Sequence, residues 1–188
     1  MRALVAGAVL LCASGGTALA ADATCTLTPA DKTANRLLTF QQFDQDGVTP
    51  ATWRRLQEAG CGAQALDAVE DYLANGPPQT PNHKSIILFH EAQTLGLMGR
   101  EAEAARMVAA AIPPDRAAGG DPDWTTYLIG TWAFFTKDRA RLEQAEATMA
   151  AEPGDGNRLD TNVLRGLLTC FDKPYAQADL LTCRPHAP

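Results

Sequence analysis

"NHKSIILFHEAQTLGLMGREAEAARMVAAAIPP", residues 82–114, is the stretch that decides the fold. Its apolar residues recur at helical spacing. They predict one helix that ends at Met98, a tight turn at Gly99-Arg100 and a second helix that ends at about Ile112. Small side chains let two helices approach closely, while large side chains of the partner helix fill the groove between them. The stretch therefore predicts an antiparallel helical hairpin.

The small and apolar positions of this hairpin resemble those of a tetratricopeptide-type repeat. The family keeps its signature residues at the positions that are here Ala92, Leu95, Gly99, Ala104 and Ala111. The sequence departs from the family at Glu91, where the family has an apolar residue, and at Pro113-Pro114, which arrives early. The resemblance covers residues 83–112 closely and residues 121–183 loosely. It implies a binding scaffold and supplies no catalytic residues.

Two further hairpins are predicted after the first. Asp121-Pro122 marks the start of a helix that ends at Thr136, and Asp138 precedes the partner of that helix. A third pair begins near Asp160 and turns at Asp172-Lys173-Pro174. In stacked repeats each pair buries its apolar face on the next pair. We expect the same arrangement here.

Helix signals are present in the N-terminal half as well. Thr28-Pro29 predicts a helix that runs to about Phe43, and Thr49-Pro50 predicts a short helix that stops at Gly60. Residues 63–75 carry apolar side chains at helical spacing on one face. The predicted fold class is therefore all-α. It consists of stacked antiparallel helix hairpins that form a short, tetratricopeptide-like superhelix with two disulfides.

Residues 1–20 have the features of a secretory signal peptide. Arg2 supplies a positive start, residues 3–13 form an apolar run, and Ala18-Leu19-Ala20 is a small-x-small cleavage site. The apolar centre is too short to span a membrane, and no later segment approaches the roughly 18 apolar residues that a span needs. We expect cleavage after Ala20, which leaves residues 21–188 as a single exported domain. Its expected location is periplasmic or secreted, without a membrane anchor.

The charge balance argues against nucleic acid as a partner. The sequence has 16 Lys and Arg against 22 Asp and Glu, a formal net charge of −6. Such a surface repels phosphate backbones and anionic lipid headgroups, and no basic run counteracts this repulsion. The expected partner is a periplasmic or envelope protein or peptide.

Four cysteines lie beyond the signal segment, an even number that is typical of disulfides in an oxidising compartment. Two lie near each end of the chain, and an elongated fold would keep the ends apart. This arrangement favours Cys25–Cys61 and Cys170–Cys183. The alternative is a zinc site, but no cysteine pair has the close spacing of zinc ligands.

The stretch "QFDQDGVTPATW", residues 42–53, has the outline of a calcium-binding loop. With Gly47 at the sixth position of an EF-hand loop, Asp44 is third and Gln42 is first. Trp53 then occupies the twelfth position, where a bidentate Glu is required. A normal EF-hand is therefore excluded. The stretch is predicted to be a turn at Asp46-Gly47.

Few residues are suited to nucleophilic catalysis. Ser85 is the only serine after residue 20, and no Gly-x-Ser-x-Gly motif surrounds it. The remaining cysteines are predicted to be oxidised, and no glycine-rich loop ends in lysine. We therefore expect no catalytic residues and no cofactor.

His83 and His90 are the weak candidates for a metal site. They are seven residues apart and share a helix face, but no second histidine completes a His-Glu-x-x-His motif after His90-Glu91. A metal would need a further carboxylate from elsewhere in the chain. The alternative interpretation places His83 in the first helical turn and packs His90 between helices with a hydrogen bond.

Trp124, Tyr127, Trp132, Phe134 and Phe135 form the densest aromatic cluster. They cannot all face one side of a helix. One interpretation buries the helix on all sides, whereas the other lets Trp132 or Phe135 face a concave groove and anchor a partner. The residues predicted to line this groove are Phe89, Gln93, Trp124, Tyr127, Trp132 and Phe135.

Three functional hypotheses follow. The leading one is a non-catalytic periplasmic helical-repeat scaffold that binds another envelope protein or peptide. The second is a small-molecule or metal-binding helical protein with a site near His83 and His90. The third is an unrecognised carboxylate-dependent enzyme, for which Asp67, Glu70 and Asp71 are the nearest group of acids, although charge on the outer face of a helix is ordinary.

Overall fold

The computed structural model describes residues 25–115 and 119–184, and within these ranges the chain contains helices and no strand. The all-α prediction is confirmed. The predicted signal segment, residues 1–20, lies outside the described residues. In the described ranges no helix combines the length and the apolar character needed to cross a membrane.

The helices follow one another with short connections. In chain order the α-helices are α1 Pro29–Asn35, α2 Trp53–Glu58, α3 Gly62–Asn75, α4 Pro81–Leu97, α5 Glu101–Ala111, α6 Trp124–Phe135, α7 Arg139–Ala151, α8 Asp155–Thr169 and α9 Tyr175–Ala178. A π-helix, Gln41–Asp46, precedes α2, and a 3₁₀ turn, Leu181–Cys183, follows α9. The most extensive packing joins α4 to α5 and α6 to α7, as expected for successive hairpins.

The central hairpin, α4 and α5, follows its local sequence signals closely. Thr80 accepts a hydrogen bond from the backbone N–H of His83 at 3.1 Å, and Pro81 occupies the first helical position. Gly99 has a φ of +76°, which the tight turn requires and which glycine adopts without strain. Ala104 is fully buried at the contact between the two helices, in agreement with the predicted close approach.

The later helices start at positions that differ from the prediction by a few residues. Asp123, rather than Asp121, caps α6 by accepting a hydrogen bond from the N–H of Thr126. Asp138 caps α7 as expected. Helix α8 begins at Asp155, five residues before the predicted start at Asp160.

The long helix predicted from Thr28 to Phe43 is interrupted. Helix α1 ends at Asn35, and the π-helix begins only at Gln41. The carbonyl of Leu38, between the two, accepts a hydrogen bond from the Tyr72 hydroxyl at 2.9 Å. This contact from α3 replaces an intrahelical partner, so the chain turns where the sequence pattern predicts continuation.

Both predicted disulfides are present. Cys25 is bonded to Cys61, with 5.2 Å between the two Cα atoms. Cys170 is bonded to Cys183, with 5.8 Å between the Cα atoms. The first bond ties the chain before α1 to the start of α3, and the second closes the C-terminal segment onto the end of α8.

Buried apolar side chains form two clusters that share α4. The N-terminal core consists of Phe43, Trp53, Leu56, Cys61, Ala65, Ala68, Val69, Tyr72 and Ile87. The main core includes Phe89, Leu95, Val108, Leu128, Phe134, Leu142, Met149, Leu164 and Leu167. Helix α4 contributes Ile87 to the first cluster and Phe89 to the second, so it joins the two.

Candidate functional site

Two clefts adjoin along the Ile112-Pro113-Pro114 segment that follows α5. One has a volume of about 310 Å³ and is lined by Ile129, Trp132 and Arg141 on its far side. The other has a volume of about 430 Å³ and lies between the start of α4 and the end of α5. Together they form what we call the proline groove, whose lining residues are Pro81, Asn82, Lys84, Ser85, Leu88, Ala109, Ala110, Ala111, Ile112, Pro113, Pro114, Asp115, Ile129, Trp132 and Arg141.

Trp132 is the predicted groove residue that lines a cleft. It is half-buried, and the Arg141 guanidinium lies 5.4 Å from the centre of its ring. A guanidinium at this distance interacts favourably with the ring and restricts its motion. An apolar side chain of a partner would therefore meet a partly fixed aromatic surface.

Trp124 has a structural role beside the same groove. Its indole N–H donates to the Ser85 hydroxyl at 2.8 Å, and that hydroxyl donates to the carbonyl of Ala111 at 2.6 Å. The chain of hydrogen bonds ties α6 to the start of α4 and the end of α5. The only polar atom of the Trp124 side chain is thus hydrogen-bonded within the protein.

Three of the other predicted groove residues are not accessible to a partner. Phe89, Tyr127 and Phe135 are buried in the main core. The Gln93 amide donates to the Tyr175 hydroxyl at 3.4 Å. Helix α6 is packed by α5, α7 and α8, and Tyr127, Phe134 and Phe135 are buried among them. Three of the six residues predicted to line the groove, Phe89, Tyr127 and Phe135, are therefore buried, because α6 is covered on more than one side.

His83 and His90 contact different partners. The ring of His83, in the first turn of α4, stacks on Phe40 with 4.0 Å between ring centres. Nδ1 of His90 lies 2.8 Å from Oδ1 of Asp44, 46 residues away in sequence. Within residues 25–115 and 119–184, no group of three or more His, Cys, Asp or Glu side chains is placed to hold a metal ion.

The Asp44 carboxylate is the centre of a buried polar cluster. Asp44 is 0% exposed, and its Oδ1 accepts from the Trp53 indole N–H at 3.1 Å as well as from His90. The His90 ring stacks on Trp53. The Arg54 guanidinium lies 4.6 Å from the centre of the Trp53 ring. Asp44, one of the two acidic residues of the 42–53 stretch, is therefore hydrogen-bonded inside the protein.

A third cleft lies beside His83. It has a volume of about 490 Å³ and is bounded by the chain before the π-helix and by the Pro77-Pro78 segment. We call it the His83 cleft; its lining residues are Leu37, Leu38, Thr39, Phe40, Gln41, Pro77, Pro78, Gln79 and His83. None of these is Asp, Glu, Lys or Arg.

The carboxylates on α3 do not form a paired acid site. Asp67 forms a salt bridge with Lys32, and Asp71 forms one with Arg36, so both tie α3 to α1. Hydrogen bonding to Arg36 holds the pKa of Asp71 below its ordinary value. These contacts give Asp67 and Asp71 a structural role.

Glu91 is a titratable residue whose burial was not predicted from the sequence. It is 8% exposed on α4. Burial, with a smaller contribution from the negative charge of Glu70, raises its pKa to about 7, although Arg100 opposes the shift. Such a value would suit proton transfer. None of the clefts described above is lined by Glu91.

No protein-family model matches this sequence, and no curated protein or solved structure matches it significantly.

Proposed function

We propose that this protein is a non-catalytic, exported helical scaffold, and that it binds an extended apolar segment of another envelope protein in the proline groove. The observation that carries the proposal is Trp132. It is half-buried at the wall of a cleft, on a helix whose other aromatic side chains are mostly buried. Tryptophan residues in such positions often contribute much of the binding free energy at protein interfaces.

The composition of the groove supports an extended polypeptide as the occupant. Prolines and aliphatic residues line most of its length, which suits apolar side chains. Lys84 lies in one cleft and Arg141 in the other, on a chain whose net charge is −6. An apolar segment that also carries acidic residues would complement these two cations.

The proposed location outside the cytosol rests on the two disulfides. Bonds between Cys25 and Cys61 and between Cys170 and Cys183 are compatible with an oxidising compartment such as the periplasm. Disulfides of this kind are rare in the reducing cytosol. The partner would accordingly be a protein of the same compartment.

The test is peptide selection followed by affinity measurement. Displayed peptides are selected on the purified wild-type protein, and the dissociation constants of the selected sequences are measured by calorimetry. We expect Trp132→Ala to weaken binding by about 30-fold, the loss that corresponds to removing an interface hot spot. The matched control is Leu159→Ala, which truncates an exposed apolar residue on α8 away from the groove.

The control variant should bind within about twofold of the wild type, since surface substitutions outside a contact have small effects. If the selected peptides bind Trp132→Ala as tightly as the wild type, the proline groove is not the binding site. If no peptide gives saturable binding, the scaffold proposal itself fails.

A further inference from the structure

The His83 cleft differs in chemistry from the proline groove. The proline groove contains cationic and anionic side chains, whereas the residues that line the His83 cleft include no Asp, Glu, Lys or Arg. We propose that the His83 cleft is a second binding site, and that it takes an uncharged, flat, apolar small molecule. This site is separate from the proposed peptide site and does not depend on it.

The volume and the walls of the cleft fit a small molecule. About 490 Å³ falls within the range of known small-molecule pockets. The rings of Phe40 and His83 both line the cleft and are stacked within 5° of parallel. Pro77 and Pro78 also line the cleft. A flat aromatic ligand can gain favourable contacts with such rings through offset or edge-to-face packing.

The polar groups of the cleft limit the charge and the hydrogen-bonding groups that a ligand can have. The Gln79 amide donates to the carbonyl of Pro77 at 2.7 Å, and the Gln41 amide donates to Asp46 at 2.7 Å. Neutral amide groups of this kind can exchange hydrogen bonds with an uncharged polar group of a ligand. None of the residues that line the cleft is Lys or Arg to offset the desolvation of a ligand anion, so we expect a charged molecule to bind poorly.

The wall that holds Phe40 is fixed by contacts to the N-terminal core. The Tyr72 hydroxyl donates to the carbonyl of Leu38, and the Tyr72 ring stacks on Phe43 with 3.9 Å between ring centres. A wall held in this way does not need to be ordered by the ligand, which lowers the entropic cost of binding. Leu37 extends the apolar surface at the rim, where it is 82% exposed and would be covered by a bound molecule.

The experiment uses N-phenyl-1-naphthylamine, an uncharged aromatic probe whose fluorescence rises in apolar sites. We expect saturable binding to one site on the wild-type protein. Leu37→Ser should weaken the affinity about fivefold, because an apolar contact is lost. Leu181→Ser is the matched control, since Leu181 is similarly exposed, at 76%, and does not line the cleft. It should leave the affinity unchanged.

Two further measurements identify the site and the ligand class. The anionic probe 1-anilinonaphthalene-8-sulfonate should bind more weakly than the uncharged probe, and Trp132→Ala should not alter the affinity of the uncharged probe. Equal binding of the two probes would overturn the assignment to uncharged molecules. An unchanged affinity in Leu37→Ser, or a loss in Trp132→Ala, would overturn the assignment to this cleft and leave the peptide proposal standing.

Discussion

The N-terminal core and the main core are stabilised in different ways. The N-terminal core contains residues of α3 and α4 and is flanked by two short helices, α1 with 7 residues and α2 with 6. Helices of this length are not stable in isolation. Ion pairs from α1 to α3, the Asp44 cluster and a disulfide hold them in place. The main core consists of longer helices that pack as hairpins and rely mainly on apolar burial.

This contrast indicates which substitutions each region tolerates. A short-helix region depends on a small number of specific polar contacts, so the loss of one contact should affect the whole region. A hairpin region distributes its stability over many apolar contacts, as stacked repeats do. The predictions below test this difference, beginning with the contact that should matter most.

The largest effect is expected at Asp44. Replacement by Ala leaves the Trp53 indole N–H and the His90 ring N–H without an acceptor in a buried site. We expect Asp44→Ala to lower the free energy of unfolding by about 3–5 kcal/mol, measured by urea denaturation. Asp46→Ala is the matched control, because Asp46 is exposed and accepts one hydrogen bond from Gln41. It should change stability by less than about 0.5 kcal/mol.

A loss below about 1 kcal/mol in Asp44→Ala would be within the range of ordinary hydrogen bonds. It would mean that the N-terminal core does not depend on its polar cluster, and the contrast between the two regions would then rest on the ion pairs from α1 to α3 and on the disulfide.

The two disulfides should differ in the region that they protect. The chain-entropy estimate is about 4 kcal/mol for Cys25–Cys61 and about 3 kcal/mol for Cys170–Cys183, because the first bond closes the longer loop. The sequence separations are 36 and 13. Paired Cys→Ala variants should show this order in denaturation. Hydrogen exchange should show faster opening of α1 and α2 for the first pair, and of α8 and α9 for the second.

Uniform acceleration of exchange across the whole chain in either paired variant would contradict the division into two regions. It would mean that the two cores unfold as one unit, with α4 transmitting the loss from one to the other.

The sequence predicted the features that depend on local chemistry. Gly99 and Asp138 mark helix ends through contacts within a few residues, and both were identified correctly. The disulfide pairs followed from their positions near each end of the chain. Features that depend on distant contacts were missed. Asp44 and His90 are 46 residues apart, and neither residue carries a local sign of the other.

The groove residues show the same limitation. The sequence indicated that the aromatic side chains of α6 cannot all face one direction, but the packing of α5, α7 and α8 on α6 decides which remain accessible. Gly130 offered a signal, because a Cβ atom at this position would lie 2.8 Å from a Leu164 methyl group. A glycine within an aromatic helix thus indicates that another element packs closely there. Gly130 therefore indicated that α6 has few exposed faces.

The ionisation of Glu91, on the helix α4 that joins the two cores, should make the stability of the protein depend on pH. The Glu91 pKa of about 7 in the folded protein is above the ordinary 4.5, because burial and Glu70 disfavour the charged form. Between these values the folded state holds a proton that the unfolded state releases, so stability falls as pH rises from about 4.5 to 7. Glu91→Gln should remove this loss and raise stability at pH 8 by about 1–2 kcal/mol, after allowance for solvent screening. At pH 4 it should have little effect.

Glu103→Gln is the control on the same hairpin. The Glu103 carboxylate accepts two hydrogen bonds from Arg100, which lowers its pKa, so its replacement should not stabilise the protein at pH 8. If both variants gain stability equally, the effect reflects the net charge of −6 rather than the burial of Glu91.

The smallest effect is expected from calcium. The stretch from Gln42 to Trp53 has acidic residues at loop-like spacing, but its first part belongs to the π-helix Gln41–Asp46. The buried Asp44 carboxylate already accepts from Trp53 and His90. Binding calcium would require breaking that cluster without a bidentate ligand to complete the site. Millimolar calcium should therefore leave the melting temperature unchanged, as measured by calorimetry. A rise of several degrees that disappears in Asp44→Ala would show that the N-terminal core exchanges its internal hydrogen bonds for a metal, and that its polar cluster is a ligand set.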